Sequence, residues 1–234
     1  MSGARLILLH SPLLGSYSLR ATASELAALG LAAEAPAWPK LSSVGEGYYP
    51  ALARAMAATI DGGGPVVLVP HSGAGALVPA VAAHLRAPVA GVIFLDSVLP
   101  HPGRSWLDTA PPETREALRA GAQMGQLPPW DDWWPPGALE KLVPETSVRQ
   151  ALVEELEPLP LAYFEEAAPP AELAAPAAYL QLSNGYADEM RAAGRMGWPN
   201  ISLPLNHLGP LSHPKAVAMA VRSLAARFGA EPHG

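Results

Sequence analysis

Apolar residues fall into short continuous runs rather than strict alternation. Residues 5–9, 65–69, 88–95 and 177–182 are such runs, each bounded by turn-forming residues. Runs of that length predict strands buried on both faces of a parallel sheet. Weaker strands are predicted at 31–37, ending at Trp38-Pro39, and at 200–203. Between the runs the period becomes helical. Residues 18–29, 48–60, a stretch ending near 85, 187–196 and 214–228 carry this spacing, with Gly30 and Asp61-Gly62-Gly63-Gly64 as stops for the first two. Strands alternating with helices predict an α/β fold, a mainly parallel central sheet flanked by helices.

Residues 102–170 read differently. Prolines cluster there, strand signals vanish, and helical stretches fall at 112–120 and 147–157. The simplest organisation is a helical cap at 102–170 inserted into a core formed by 1–101 and 171–234. Trp106, Trp130, Trp133 and Trp134 lie in this insertion, with Tyr163 and Phe164 at its far end. Adjacent positions on a helix point about 100° apart, so these tryptophans do not all enter one core. Lining a cleft, they would bind a flat hydrophobic molecule; alternatively, they fix a proline-rich cap to the sheet. Asp131 and Asp132 are expected on a solvated face.

The chain has 234 residues, half of them apolar, with 15 basic and 21 acidic side chains and a net charge of −6. Without a basic cluster, neither nucleic acid nor an anionic membrane is expected as a partner. There is no cysteine, hence no disulfide, thiol nucleophile or thiolate metal site. No pair of histidines has metal-ligand spacing, and neither a metal nor another cofactor is expected. No run approaches the ~20 apolar residues of a membrane span. The run at 6–9 is too short for a signal peptide and is interrupted by His10. The expectation is a cytoplasmic protein with a small-molecule substrate; oligomeric state is left open.

The segment Val66-Val67-Leu68-Val69-Pro70-His71-Ser72-Gly73-Ala74-Gly75 joins a strong strand to a helix. A strand turning abruptly into a helix presents one side chain at the top of the sheet, and small residues must surround it because the backbones approach closely. Ser72 occupies that point. The Gly73 N–H stands at the helix start, where developing negative charge is stabilised. A plain turn with Ser72 as helix cap would use similar residues; the strand before, the helix after and a histidine downstream favour a nucleophile.

These residues resemble the α/β-hydrolase fold superfamily, in particular small bacterial members with a GHSGAG-like elbow and an inserted cap. The resemblance runs through His10-Ser11-Pro12, the elbow at Ser72, Phe94-Leu95-Asp96 and His207-Leu208-Gly209-Pro210-Leu211-Ser212-His213-Pro214. It implies that His207, in the loop before the last helix, is the general base for Ser72. Relatives often place the acid after the strand at 177–182, but the turn here reads Ser183-Asn184-Gly185-Tyr186. Asp96 is the favoured orienting acid and Asp188, at the start of a helix, the second choice. His71 is expected to pack beside the site, His10 to shape the oxyanion loop, and His84, His213 and His233 to be solvated.

The pattern departs from the superfamily at two prolines. Pro70 replaces the glycine two residues before the nucleophile. Pro12 stands where relatives offer the second oxyanion N–H, and proline has none. Either Ser11 or Leu13 replaces that donor or the site does not hold an oxyanion in the usual way. The resemblance implies ester or thioester hydrolysis through an acyl-enzyme on a hydrophobic, aromatic or polyketide-like molecule. A non-hydrolytic tailoring enzyme that makes or breaks C–C bonds or closes rings is the alternative, and a non-catalytic ligand-binding protein the third. His10, Pro12, His71, the four tryptophans and Tyr163 are the candidate substrate contacts.

Overall fold

A computed structural model of the chain describes residues 3–45, 47–60 and 62–232. His233 and Asp61 lie outside these residues. The chain opens with β1 (Arg5–Leu9), α1 (Tyr17–Ala28), β2 (Ala33–Glu34) and α2 (Tyr48–Ile60), followed by β3 (Val66–Ser72), α3 (Val78–His84) and β4 (Val89–Ser97). Then come α4 (Trp106–Thr109), α5 (Pro112–Gly121), β5 (Gln126–Leu127), α6 (Ala138–Leu142), α7 (Thr146–Val153), β6 (Leu159–Pro160) and α8 (Leu161–Glu165). The chain ends with β7 (Ala177–Gln181), α9 (Ala187–Arg195), β8 (Asn200–Ser202), α10 (Gly209–Ser212) and α11 (Pro214–Ala225).

Six strands form one parallel sheet in the order β2-β1-β3-β4-β7-β8. Successive side chains of a strand enter opposite faces. Ile7 and Leu9 therefore join Tyr49, Met56 and Val81 on the face covered by α2 and α3. Leu6 and Leu8 join Leu19, Leu26 and Val221 under α1 and α11. Burying each such aliphatic side chain is worth about 1.5–3 kcal/mol, so β1 and β3, buried on both faces, make a rigid base for what their ends carry. The chain runs from β1 outward to β2 and then back to β3, so the strand order reverses between β1 and β3. In open α/β sheets the crevice at the carboxyl ends of strands beside such a reversal is where ligands bind.

Several expected elements differ in extent. The strand expected at 31–37 is reduced to Ala33–Glu34; Pro36 and Pro39 cannot donate to a ladder. The helix after the elbow begins as a 3-10 turn, Gly73–Leu77, before α3. Pro70 continues β3 opposite Leu9, so its missing N–H costs at most one ladder bond. The helix expected at 147–157 ends at Val153.

Residues between β4 and β7 carry α4 to α8 and the antiparallel pair β5–β6. Phe164 and Tyr163 from this region are buried in the cluster beneath α2. Carboxylates fasten it to the core. Glu166 accepts the N–H groups of Tyr48 (2.7 Å) and Tyr49 (2.9 Å), satisfying the first turn of α2. Glu155 does the same for Tyr17 at the start of α1 (2.8 Å) and pairs with Arg20. Among the described residues, no helix is long and apolar enough to cross a membrane.

Candidate active site

The elbow is strained. Ser72 has φ 58° and ψ −127°, a backbone region that costs a non-glycine residue on the order of 1–3 kcal/mol and is held only by its surroundings. The carbonyl of Ser72 accepts from Ser97 Oγ (2.6 Å) and Val98 N (3.1 Å). Asp96, on the neighbouring strand, is also left-handed at φ 42°. Tyr179 braces it: the phenol donates to Ser97 O (2.7 Å) and accepts from Ser97 N (3.1 Å).

Asp96 is fully buried. Its Oδ1 accepts from the N–H groups of Leu182 (2.8 Å) and Ser183 (2.9 Å), and its Oδ2 from Ser183 Oγ (2.7 Å) and His207 Nδ1 (2.8 Å). Burial alone would raise its pKa. The hydrogen bond and charge of His207, with the bonds from Leu182 and Ser183, outweigh burial and hold the carboxyl below its ordinary range. Nδ1 donates to Asp96, which leaves Nε2 as the ring nitrogen not bonded to that carboxylate. The structure thus brings Asp96, not Asp188, to His207. Asp188 is exposed and pairs with Arg191 near the start of α9.

His71 lies under this base. Its Nε2–H donates to the carbonyl of His207 (3.0 Å), and the two rings stack with centroids 4.6 Å apart. Burial and the neighbouring His207 lower its pKa to about 3, so it is neutral. His10 differs from the expectation of a cavity-facing residue. Its Nδ1–H donates to Ser11 O (2.8 Å), its Nε2 accepts from Trp38 N (3.2 Å), and its carbonyl accepts from the Trp38 indole (2.6 Å). With both ring nitrogens used inside the fold, it has nothing to offer a ligand. Burial lowers its pKa to about 4. His84 and His213 are exposed.

A cavity of about 830 Å³ opens over Ser72. Ser72, Gly73, Leu13 and His207 form its reactive end, and Trp106, Trp130, Trp133, Trp134 and Tyr163 line it from the 102–170 region. The last residues of β7 and β8, Gln181 and Ser202, and the loops after them add Asn184, Tyr186 and Asn206; no lysine, arginine, aspartate or glutamate is among its lining residues. His10, Pro12 and His71, counted as candidate substrate contacts, do not line it. Ser11 is fully buried, and its Oγ accepts from Leu13 N at 3.3 Å. The tryptophans divide as their spacing required: Trp130 is buried, Trp133 packs on Phe164, and Trp134 is 47% exposed with its ring edge-on to Trp130.

Sequence reasoning missed Tyr186. Its phenol lies 3.2 Å from Ser72 Oγ, and its ring stacks on His207 with centroids 5.0 Å apart. The available signal was position: it follows the strand at 177–182, where a parallel sheet places its functional loops. Trp38, which the sequence marks only as a strand end, holds His10 through its backbone N–H and its indole.

The parallel sheet, its flanking helices and the serine elbow at the end of β3 define an α/β-hydrolase fold. Solved structures share it. An extracellular α/β-hydrolase from a Paenibacillus species, described as sharing structural and functional homology with tobacco salicylic acid binding protein 2, aligns with a TM-score of 0.73 and 20% identity, over 97% of this chain and 100% of that one. A pyrethroid hydrolase from Sphingobium faniae JZ-2 aligns with a TM-score of 0.70 and 21% identity, over 95% and 97%. A variant of tomato methylketone synthase I complexed with β-ketoheptanoate gives 0.70 and 12%, over 97% and 100%. No protein-family model and no curated protein sequence matches the chain. At these identities the likeness establishes the fold and leaves the chemistry to be argued from the site.

Proposed function

We propose that the protein is a serine hydrolase that cleaves uncharged esters with a hydrophobic, aromatic or polyketide-like acyl group. Ser72 Oγ attacks the carbonyl carbon while its proton passes to His207 Nε2, and His207 returns that proton to the departing oxygen. Asp96 keeps the imidazole in the tautomer that can accept it. The N–H of Gly73 serves the carbonyl oxygen as negative charge develops there, joined by that of Leu13 once it leaves Ser11 Oγ. Water then releases the acid by the same path in reverse. The observation that carries this reading is the 2.8 Å bond from His207 to the buried carboxylate of Asp96, beside a strained serine at the end of an uncharged, aromatic-lined cavity. Hydrolases among the structural neighbours support it at the level of fold.

Fluorophosphonate labelling read by intact mass tests it, comparing wild type with Ser72→Ala and His207→Ala. One adduct on wild type and none on either variant is the expected result, followed by turnover of aryl and alkyl esters.

A second reading, a C–C bond-forming, bond-breaking or ring-closing reaction of natural-product tailoring, has its own observation. Among the described residues no hydrogen bond joins Ser72 to His207, and Ser72 Oγ meets Tyr186 instead. There Ser72 and His207 would act as hydrogen-bonding and acid–base groups. A folded wild type that takes no adduct would overturn the first reading in favour of this one.

A further inference from the structure

The turn after β7 lacks a carboxylate, yet one of its side chains reaches the reacting atoms. Tyr186 closes the 3-10 turn Asn184–Tyr186 and lines the cavity. Its Oη is 3.2 Å from Ser72 Oγ, the one hydrogen bond of that oxygen among the described residues. Its ring lies on His207 at an interplanar angle of 17°. The backbone N–H groups of Leu182 and Ser183, held by Asp96, fix the start of this turn.

Burial raises the pKa of the phenol, the Ser72 hydrogen bond opposes that, and the charge of Asp96 adds to it. Tyr186 therefore keeps its proton at neutral pH and has an O–H to donate to Ser72 Oγ. Its side of the site is set by topology. β1 and β4 flank β3 on opposite edges. The Gly73 N–H and, once it leaves Ser11 Oγ, the Leu13 N–H after β1 serve the carbonyl oxygen from one side. Asp96, His207 and Tyr186 stand on the other, toward which the leaving group departs. The departing oxygen and Ser72 Oγ are bonded to the same carbon in the tetrahedral intermediate. A donor in contact with Oγ is thus one bond angle from the leaving oxygen.

Building on the ester-cleavage reading, we propose that Tyr186 is a further catalytic residue whose phenol O–H hydrogen-bonds the departing ester oxygen during acylation. As the Ser72 Oγ–carbon bond forms, the serine proton moves to His207 Nε2. As the ester C–O bond breaks, its electron pair goes to the departing oxygen, and His207 delivers the proton there. Tyr186 keeps its own proton throughout and lends only a hydrogen bond. That help matters for a basic alkoxide and little for a stable phenolate.

The test is Tyr186→Phe, which keeps the ring on His207 and removes the hydroxyl, measured on ethyl and p-nitrophenyl esters of one acid. The ethyl ester is expected to lose about 10²-fold in kcat/KM, the size of one lost oxyanion-type donor. The p-nitrophenyl ester should lose less than about threefold, and the variant should still take a fluorophosphonate adduct at Ser72. Equal loss on the two esters, loss on neither, or a variant that no longer labels while wild type does would overturn the role of Tyr186 alone. A wild type that neither labels nor cleaves either ester would overturn the ester reading and this inference with it.

Discussion

Asp96→Asn removes one charge and no heavy atom from the most heavily bonded side chain of the site. Oδ1 accepts the Leu182 and Ser183 N–H groups, and an amide NH2 cannot face two donors. The asparagine oxygen is therefore fixed there, and its NH2 is turned toward Ser183 Oγ and His207 Nδ1, which now occupy Oδ2. The hydroxyl can rotate to accept. The imidazole can respond only by accepting at Nδ1, which moves its proton to Nε2, the atom that must receive the Ser72 proton. A wrong tautomer of this kind costs about 10⁴ in kcat in serine hydrolases, which corresponds to about 5.5 kcal/mol of transition-state stabilisation. The assay is kcat/KM on the best ester of the labelling study, with the rate of fluorophosphonate modification alongside and a urea unfolding curve to check the fold. Asp188→Asn is the control, expected to stay within about twofold because that side chain is exposed on α9 and pairs with Arg191. A folded Asp96→Asn protein that loses less than about tenfold would refute the reasoning and leave Asp96 as a brace for the turn after β7.

Acid should weaken the fold through His10 and His71. Both are held neutral in the fold, down to about pH 4 and about pH 3 from an ordinary value of 6.5, while the unfolded chain protonates near 6.5. Their stabilisation is complete above pH 6.5 and is lost as pH falls toward 4, by about 3 kcal/mol for His10 alone. Urea midpoints at pH 7, 5.5 and 4.5 should drop in that order, and a flat profile would contradict it. Gly75→Ala places a Cβ 2.0 Å from Val98 O and 2.5 Å from Ser97 Oγ; the backbone must move, and about 3 kcal/mol or more of stability should be lost in chemical denaturation. Glu166→Ala removes the carboxylate that accepts the Tyr48 and Tyr49 N–H groups at the start of α2 and should cost about 1–2 kcal/mol, with Glu166→Gln losing less in the same denaturation experiment.

What the sequence made legible follows from the range of the forces involved. The buried strands and their parallel arrangement are written in local runs such as Leu6-Ile7-Leu8-Leu9, since a strand covered on both faces has no polar side to display. Ser72 was legible because an abrupt strand-to-helix turn demands small residues at fixed offsets. The choice between Asp96 and Asp188 was harder. Both positions suit an aspartate locally, and what separates them is a contact across 111 residues, His207 Nδ1 to Asp96 Oδ2. His10 was placed toward the substrate because its partner, Trp38, lies 28 residues away in a stretch with no pattern linking the two. Beyond its position after β7, Tyr186 has no local signal either: what distinguishes it is its contact with Ser72 across 114 residues. The division of the tryptophans followed from helical spacing even though Trp130–Trp133 forms a 3-10 turn.

The position of the acid explains why the turn after β7 is built as it is. A carboxylate on that turn would reach His207 from the turn itself and fix nothing else. At the end of β4, Asp96 reaches sideways under the turn, takes the N–H groups of Leu182 and Ser183 with one oxygen, and holds His207 with the other. Two residues of positive φ, Ser72 and Asp96, thus lie on neighbouring strands, with Ser72 opposite Ser97, which follows Asp96, bonds the Ser72 carbonyl and is braced by Tyr179. The strain at both points is held by hydrogen bonds from the end of β4 and from the turn after β7, so the geometry of Ser72 and Asp96 is tied to the rigid sheet. The turn, which supplies no carboxylate to His207, carries instead Tyr186, whose hydroxyl touches Ser72 and whose ring lies on His207. The loop after β1 gives up an N–H at Pro12, while the loop on the other side of β3 brings a hydroxyl to Ser72. Under the ester-cleavage proposal, the hydrogen-bonding capacity around the reacting carbon is thereby shifted from the carbonyl side toward the leaving-group side.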